Sequence, residues 1–387
     1  VVSWLDETML GDLSEANMSK LYTDRELPLA SVLYEMEREG FRVDRDILSQ
    51  LQTQFNEQSE SLAKQIYEST GETFNILSPK QLGEVLFEKL GLPTGKKNKS
   101  GFSTDADTLE SLTDRHPAIP MILEYRFITK LKSTFVDGLL NLVSAENDRI
   151  RTQFNQCVTA TGRISSTEPN MQNIPVRTQQ GREIRKAFIA SEGNVLVDAD
   201  YSQIELRLLA HISGDEGMIA AFNSGKDIHR TTASEVFRVP FAEVTSEQRS
   251  AAKAVNFGIV YGISDFGLAR NLDIPVKRAS EYIKLYFDRY PGVKSYLETS
   301  VEDAKRKGYA VTMFDRRRAM LELKSSNYNT RSFGERVAMN MPIQGTAADI
   351  IKLAMVKVSR ILKERGLKTK LILQVHDELI FDVPRDE

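Results

Sequence analysis

Along most of the chain, apolar residues recur at intervals of three and four, and only a few short runs break that rhythm. From Leu27 to Gly40, LPLASVLYEMEREG has helical spacing closed by a glycine. In the long segment that follows, Leu51, Phe55, Leu62 and Ile66 share one helical face. SPKQLGEVLFEKLGLP predicts a compact helix, with Ser78 as its cap, Pro79 in its first turn, Gln81 completing a capping box, and Gly91 with Pro93 as its stop. The polar, basic TGKKNKSGFST after it is expected to be mobile, and helical patterns then resume to about residue 142. Residues 1–25 have no clear periodicity and start abruptly, as a fragment would.

The texture changes near residue 149, where RIRTQFNQCVTATGRIS and GNVLVDADYS carry short β-like runs between turn residues. Helical patterns dominate again from Ser202 to about 305, and β-like runs return at 309–314 and 371–383. The coarse reading is an α/β centre with helical units on either side, without internal repeats or low-complexity tracts. LILQVHDELIFDV (371–383) is the odd segment: two apolar strands with His376, Asp377 and Glu378 wedged between them. Two-residue hairpins favour Asn-Gly or Asp-Gly because their turns need positive φ. His-Asp is poor turn chemistry, so something other than turning is expected to have placed it.

A chain of 387 residues with 41% hydrophobic and 27% charged residues suits two or three globular domains. No run approaches the roughly 18 apolar residues that span a membrane, and the N-terminus lacks a signal-peptide pattern. A single cysteine, Cys157, excludes an internal disulfide and fits a reducing, cytoplasmic setting, and four scattered histidines give no zinc pattern. The net charge of −3 hides an asymmetry: residues 1–60 hold 13 acidic and 5 basic side chains, whereas the remainder holds 41 and 46. KKNK (96–99), RTQQGREIRK (177–186) and AKRKGYAVTMFDRRR (304–318) are basic clusters, either solvated faces or contacts for a phosphate backbone.

In NVLVDADYSQIELRLLAHISGD, an apolar strand runs into Asp198 and Asp200, and a helix follows with Ile204, Leu208 and Ile212 at spacings of four. Asp200 therefore lies at the carboxyl end of a strand, where α/β folds keep ligands, or else caps the helix. In RSAAKAVNFGIVYG, the residues Arg249, Lys253, Phe257 and Tyr261 recur every four positions. Each step overshoots a turn by roughly 40°, so they trace one slowly drifting stripe. Two cations followed by two aromatics match a nucleoside triphosphate laid along a helix, with core aromatics and solvated cations as the plain alternative. If the hairpin strand neighbours the Asp200 strand, Asp377 and Asp200 form a carboxylate pair with open positions, which is what Mg²⁺ prefers. Together these features describe nucleotidyl transfer.

With these segments in view, the sequence resembles the polymerase region of the family A DNA polymerases, from about residue 27 to the end. DYSQIELR (200–207), RSAAKAVNFGIVYG (249–262) and QVHDE (374–378) stand in the family's order, and TATGRISSTEPNMQNIP (159–175) and MNMPIQGTAADI (339–350) are further signatures. The resemblance implies a right-hand architecture of α/β (α+β) type with a β-sheet palm, a helical thumb and helical fingers. Residues 1–26 would be a linker remnant, 27–43 palm, 44–142 thumb, 143–202 palm, 203–345 fingers and 346–387 palm. It implies a monomeric enzyme of bacterial DNA replication and repair, nucleoid-associated and with no membrane, whose partners are primer–template DNA and deoxynucleoside triphosphates.

Residue by residue, the resemblance gives Asp200, Asp377 and the Tyr201 backbone carbonyl to two Mg²⁺ ions, with Mn²⁺ as a substitute and Glu378 as a supporting acid. Two-metal sites hold their ions about 3.5–4 Å apart, which limits the carboxylate separation. Arg249, Lys253 and His229 would meet the triphosphate, with Lys253 protonating the leaving group, and Gln203 would also touch the nucleotide. Phe257 and Tyr261 would pocket the sugar and base, Glu205 would be the steric gate against a ribose 2′-hydroxyl, and Phe at 257 implies discrimination against dideoxynucleotides. Arg163, Asn173, Gln344, Gln374 and His376 would line the duplex minor groove, where acceptors are nearly sequence-independent. Asn170, Arg177, Arg336 and Asn340 would add DNA contacts, and Lys96, Lys97 and Lys99 would mark the thumb tip.

Three departures accompany the resemblance. The chain stops at Glu387 where the family continues, which bears on stability and activity. No strand-borne Asp-x-Glu precedes the polymerase motifs, so neither proofreading nor 5′-nuclease activity is expected. Asp315 stands before RRR where relatives commonly carry glycine, so a different turn is expected there. A phage-type RNA polymerase and a non-catalytic primer–template binder are the alternatives; Glu205 and QVHDE favour DNA synthesis over the first, and intact Asp200, Asp377, Arg249 and Lys253 argue against the second.

Overall fold

The computed structural model describes residues 2–93, 97, 98 and 101–387. Its centre is a three-stranded antiparallel sheet in the order Lys370–Val375, Glu378–Pro384, Asn194–Asp200. The first two strands form the hairpin read from LILQVHDELIFDV, with Val375 opposite Glu378 and only His376 and Asp377 in the turn. His376 takes φ +54°, a left-handed conformation uncommon outside glycine but one that histidine enters more readily than most residues. The turn is tied down from two sides: Gln374 Nε2 donates to the His376 carbonyl at 2.7 Å, and the Tyr201 N–H donates to the Asp377 carbonyl at 3.2 Å.

Three main apolar cores organise the helices around this sheet. In the first, Leu29, Met36, Leu48 and Phe55 pack with Leu371, Leu373 and Phe381 of the hairpin. The second lies beyond the sheet and joins Leu206, Leu209, Ile259, Tyr286, Tyr290 and Ile343. The third gathers Ile66, Leu82, Leu86, Ile119 and Ile122. Helix Arg45–Thr70 spans the first and third, so the single face holding Leu51, Phe55, Leu62 and Ile66 is buried along its whole length. Helix Tyr328–Glu364 runs for 37 residues and contributes Ile343 to the second core and Ile351 and Met355 to the first.

Local structure departs from the sequence reading at several points. Val2–Glu15 is a helix although it has no apolar stripe, and its described residues are almost all exposed. Ser78 Oγ accepts from the Gln81 N–H at 3.4 Å as a cap should, but Gln81 Oε1 turns to the Asn75 N–H at 2.7 Å, so the capping box is not closed. Asp315 adopts φ +68° between strands Tyr309–Val311 and Arg317–Ala319, the left-handed position a glycine would fill, which aspartate tolerates better than most residues. Lys96 and Lys99 lie outside the described residues, as do positions 94, 95 and 100 of the loop expected to be mobile. Lys97 lies in a two-residue strand paired with Gly101–Phe102. Among the described residues, no helix is long and apolar enough to cross a membrane.

Candidate active site

Strand pairing gathers the acids. Glu378 is the direct cross-strand partner of Asp200, and Asp377 precedes Glu378 in the turn, held by the Tyr201 amide. Cross-strand partners have Cβ atoms about 4.5–5.5 Å apart, so residues distant in sequence become neighbours here. The alternative that Asp200 caps the next helix is excluded: Gln203, at φ +55°, occupies the cap of Ile204–Ser213 and makes no side-chain cap bond. Burial raises the Asp377 carboxyl above its usual range, and the charges of Asp200 and Glu205 push it further, against His376. Glu378 is likewise raised by burial and then by Asp198, Asp200 and Asp377, with Arg185 opposing. Asp198 belongs to the same electrostatic cluster: burial and then Asp200 raise it, with Arg185 opposing.

Mutually repelling carboxylates, Asp377 and Glu378 half-buried and Asp198 and Asp200 exposed, with little cationic relief have the donor chemistry that suits a hard divalent ion. Among the described residues, no group of three or more His, Cys, Asp or Glu side chains is placed to hold a metal ion by itself. Strand pairing and the Tyr201–Asp377 backbone bond bring Asp200, Asp377 and Tyr201 to one end of the sheet, and their carboxylate and carbonyl donors are all oxygens, so the donor chemistry present fits such an ion.

Helix Ser246–Val260 carries the cationic stripe. It opens on a closed capping box between Thr245 and Gln248. Arg249 is fixed by Asp227, with Nη2 and Nε at 2.7 and 3.0 Å from Oδ2, while Asp227 also caps Ile228–Phe237. Lys253 is exposed and Phe257 half-buried. Tyr261 follows the last helical residue and donates from its hydroxyl to Glu205 Oε2 at 2.7 Å. Burial, then the Glu205 charge, raises the Tyr261 phenol well above its ordinary value. Glu205 is only 7% exposed and also accepts from Arg163 Nη2 at 2.6 Å. Three predicted residues from three segments thus form one bridge, Arg163–Glu205–Tyr261.

His229 is 3% exposed, and its Nδ1 lies 3.0 Å from Asn256 Nδ2. Burial lowers its pKa to about 4; Asp227 opposes the shift and Arg249 and Lys253 assist it, so the ring is neutral at physiological pH.

The residues expected to meet DNA divide into two groups. Asn170, Asn173, Arg177, Arg336 and His376 are exposed, and Gln344 is half-buried. Gln374 is 2% exposed, held by Gln172 and by the His376 carbonyl, so its place is inside the hairpin. Asn340 is spent partly on the Val260 carbonyl at 3.2 Å, at the end of the cationic helix. Sequence reasoning missed Gln172, Thr232 and Asn256. Asn256 stands one position before Phe257 on the buried face of the stripe's own helix, which was the available signal.

Residues 45–387 match the model of DNA polymerase family A. DNA polymerase I of Caldicellulosiruptor bescii is 54% identical over 99% of this chain and 45% of its own length, and that of Bacillus subtilis is 53% identical over 99% and 44%. The chain thus spans less than half the length of these curated relatives. Among solved structures, the POL domain of Pol1 from M. smegmatis, in complex with DNA primer-template and dNTP, superposes with a TM-score of 0.93 at 48% identity, covering 98% of this chain and 67% of that one. Divalent metal ions serve this family generally. The chain belongs to DNA polymerase family A.

Proposed function

We propose that this chain carries out template-directed DNA synthesis, adding deoxynucleotides to a primer 3′-hydroxyl and releasing pyrophosphate. The observation that carries the proposal is the pairing that sets Asp200 opposite Glu378 and beside Asp377. A palm, thumb and fingers divided at the boundaries given above are part of the same reading; the second core, almost wholly within 203–345, supports the fingers, and the third, within 44–142, the thumb, while the first joins palm and thumb residues.

In this reading Asp200, Asp377 and the Tyr201 carbonyl hold two Mg²⁺ ions. Such ions supply a lowered pKa at the attacking hydroxyl and neutralise charge on the phosphates. Arg249, pre-oriented by Asp227, and Lys253 bind the β- and γ-phosphates, and Lys253 donates a proton to the departing pyrophosphate. Phe257 and Tyr261 flank the sugar and base. Glu205, clamped by Arg163 and Tyr261, fills the space of a 2′-hydroxyl. Asn170, Asn173, Arg177, Arg336, Gln344 and His376 contact the duplex, whereas Gln374 supports the hairpin from within.

Primer extension with each dNTP tests this directly. Single-nucleotide addition dictated by the template and lost in Asp377→Ala is the expected result, and equal extension by that variant would reject the assignment. Preference for ribonucleotides would favour the phage-type RNA polymerase reading instead.

A further inference from the structure

The polar groups behind His229 form a directional chain. It begins at the Arg289–Glu235 ion pair, where Nη2 lies 2.8 Å from Oε1. The Tyr290 hydroxyl lies 3.0 Å from Glu235 Oε2, Thr232 Oγ1 lies 3.4 Å from the Tyr290 oxygen, and Asn256 Nδ2 lies 3.2 Å from Thr232 Oγ1. The other Nδ2 hydrogen is left for His229 Nδ1 at 3.0 Å. Tyr290, Thr232 and Asn256 are all at 0% exposure, so water does not compete for these bonds.

An ionised carboxylate only accepts, and each hydroxyl has one hydrogen to give. Glu235 therefore orients Tyr290 toward itself, so Thr232 is the donor between the two hydroxyls; its one hydrogen is shared between the Tyr290 oxygen at 3.4 Å and Asn256 Oδ1 at 3.3 Å, and in either case Thr232 Oγ1 accepts from Asn256 Nδ2. The polarity propagates inward and leaves His229 Nδ1 as an acceptor. The ring is neutral, so its single proton sits on Nε2. Nε2 has no hydrogen-bond partner among the described residues, yet it is not one of the buried polar atoms left unpaired, so it retains access to solvent.

We infer that Arg289, Glu235, Tyr290, Thr232 and Asn256 are positioning residues that fix His229 as its Nε2–H tautomer and so make it a neutral donor to an anionic oxygen. The tautomer stands on this geometry; the identification of that oxygen with a nucleotide phosphate rests on the proposed function above. A neutral donor beside the cations Arg249 and Lys253 adds direction without adding a third repelling charge.

The test is long-range ¹H–¹⁵N correlation of histidine-labelled protein, with His229 assigned by its loss in His229→Gln. The expected spectrum has an unprotonated Nδ1 and a protonated Nε2. Asn256→Leu and Tyr290→Phe should each move His229 toward a mixture of tautomers while the three other histidines stay in place, showing that the fold is kept. The KM for dNTP should rise about tenfold in Asn256→Leu with a smaller change in kcat, the size of one lost strong hydrogen bond. A protonated Nδ1 in the wild type, or ring shifts unmoved by both substitutions, would overturn the inference. Correct tautomer behaviour in a protein that extends no primer would support the relay and count against the polymerase reading alone.

Discussion

The four-charge cluster of Glu26, Arg316, Asp349 and Lys352 gives the sharpest stability prediction. Lys352 and Asp349 have fully buried side chains, and Arg316 and Glu26 are 13% and 16% exposed. Lys352 Nζ lies 2.8 Å from Glu26 Oε1, Arg316 Nη2 lies 2.6 Å from Asp349 Oδ1, and Arg316 also contacts Glu26. The charges sum to zero, and they join the segment before helix Leu27–Glu39 to the turn at Arg316 and to the long helix that carries Gln344. Glu26→Gln keeps the shape but leaves two buried cations facing one anion. Breaking a buried pair on one side costs about 3–5 kcal/mol, and the retained amide oxygen places this case at about 3 kcal/mol. Lys352→Met added to Glu26→Gln restores neutrality and should recover most of that loss. Burial works against ionisation of Glu26, but Lys352, Arg316 and Gln156 together hold its carboxyl below the usual range. A lowered carboxyl stabilises the fold above its unfolded pKa, and that stability is lost as pH falls through the folded value. The gap between wild type and Glu26→Gln should therefore be full at pH 7 and shrink below about pH 4. Urea unfolding of the two singles and the double checks this. A Glu26→Gln cost under about 0.5 kcal/mol, or strictly additive singles, would refute the reasoning.

Three further outcomes follow from the site. Asp377→Asn should stabilise the metal-free protein by about 1 kcal/mol at pH 7 after solvent screening. The raised Asp377 carboxyl favours the fold below its unfolded pKa and loses that contribution as pH rises through the folded value, so the gain should vanish near pH 3, and unfolding curves at both pH values decide it. Glu205→Ala frees Arg163 and Tyr261, both of which can reach water, so it should cost only about 1–2 kcal/mol in unfolding free energy while opening the site to ribonucleotides. Unchanged rNTP discrimination would remove Glu205 from the gate. At Asp315, replacement by alanine should cost about 1 kcal/mol and replacement by glycine within about 0.5 kcal/mol, because only alanine is penalised at φ +68°. Equal Tm values for the two variants would contradict that.

What the sequence revealed depended on whether a signal was local. The face of Leu51, Phe55, Leu62 and Ile66 and the hairpin around His376 were readable because spacing and burial coincide. Val2–Glu15 was not, since its described residues lie in solvent and leave no stripe. Short π-helical turns at Tyr22–Glu26, Glu84–Lys89 and Lys132–Asp137 have no distinct pattern. The choice between cap and ligand for Asp200 needed coordinates, because both readings put an aspartate before an apolar helix. Glu26, more than 280 residues from its partners Arg316 and Lys352, had no sequence signal at all. The same holds for the relay behind His229, where ordinary core positions became informative only through the direction of their hydrogen bonds.

The central claim is that Asp200 and Asp377 act as one unit on a single reacting phosphate. Single-turnover incorporation of one dNTP on a primer–template in Mg²⁺, measured for Asp200→Asn, Asp377→Asn and the double variant, tests it most directly. The account expects each single substitution to slow the step at least about 10³-fold, near 4 kcal/mol, and the double to be scarcely slower than either. Either single variant within about tenfold of wild type, or losses that multiply in the double, would contradict it.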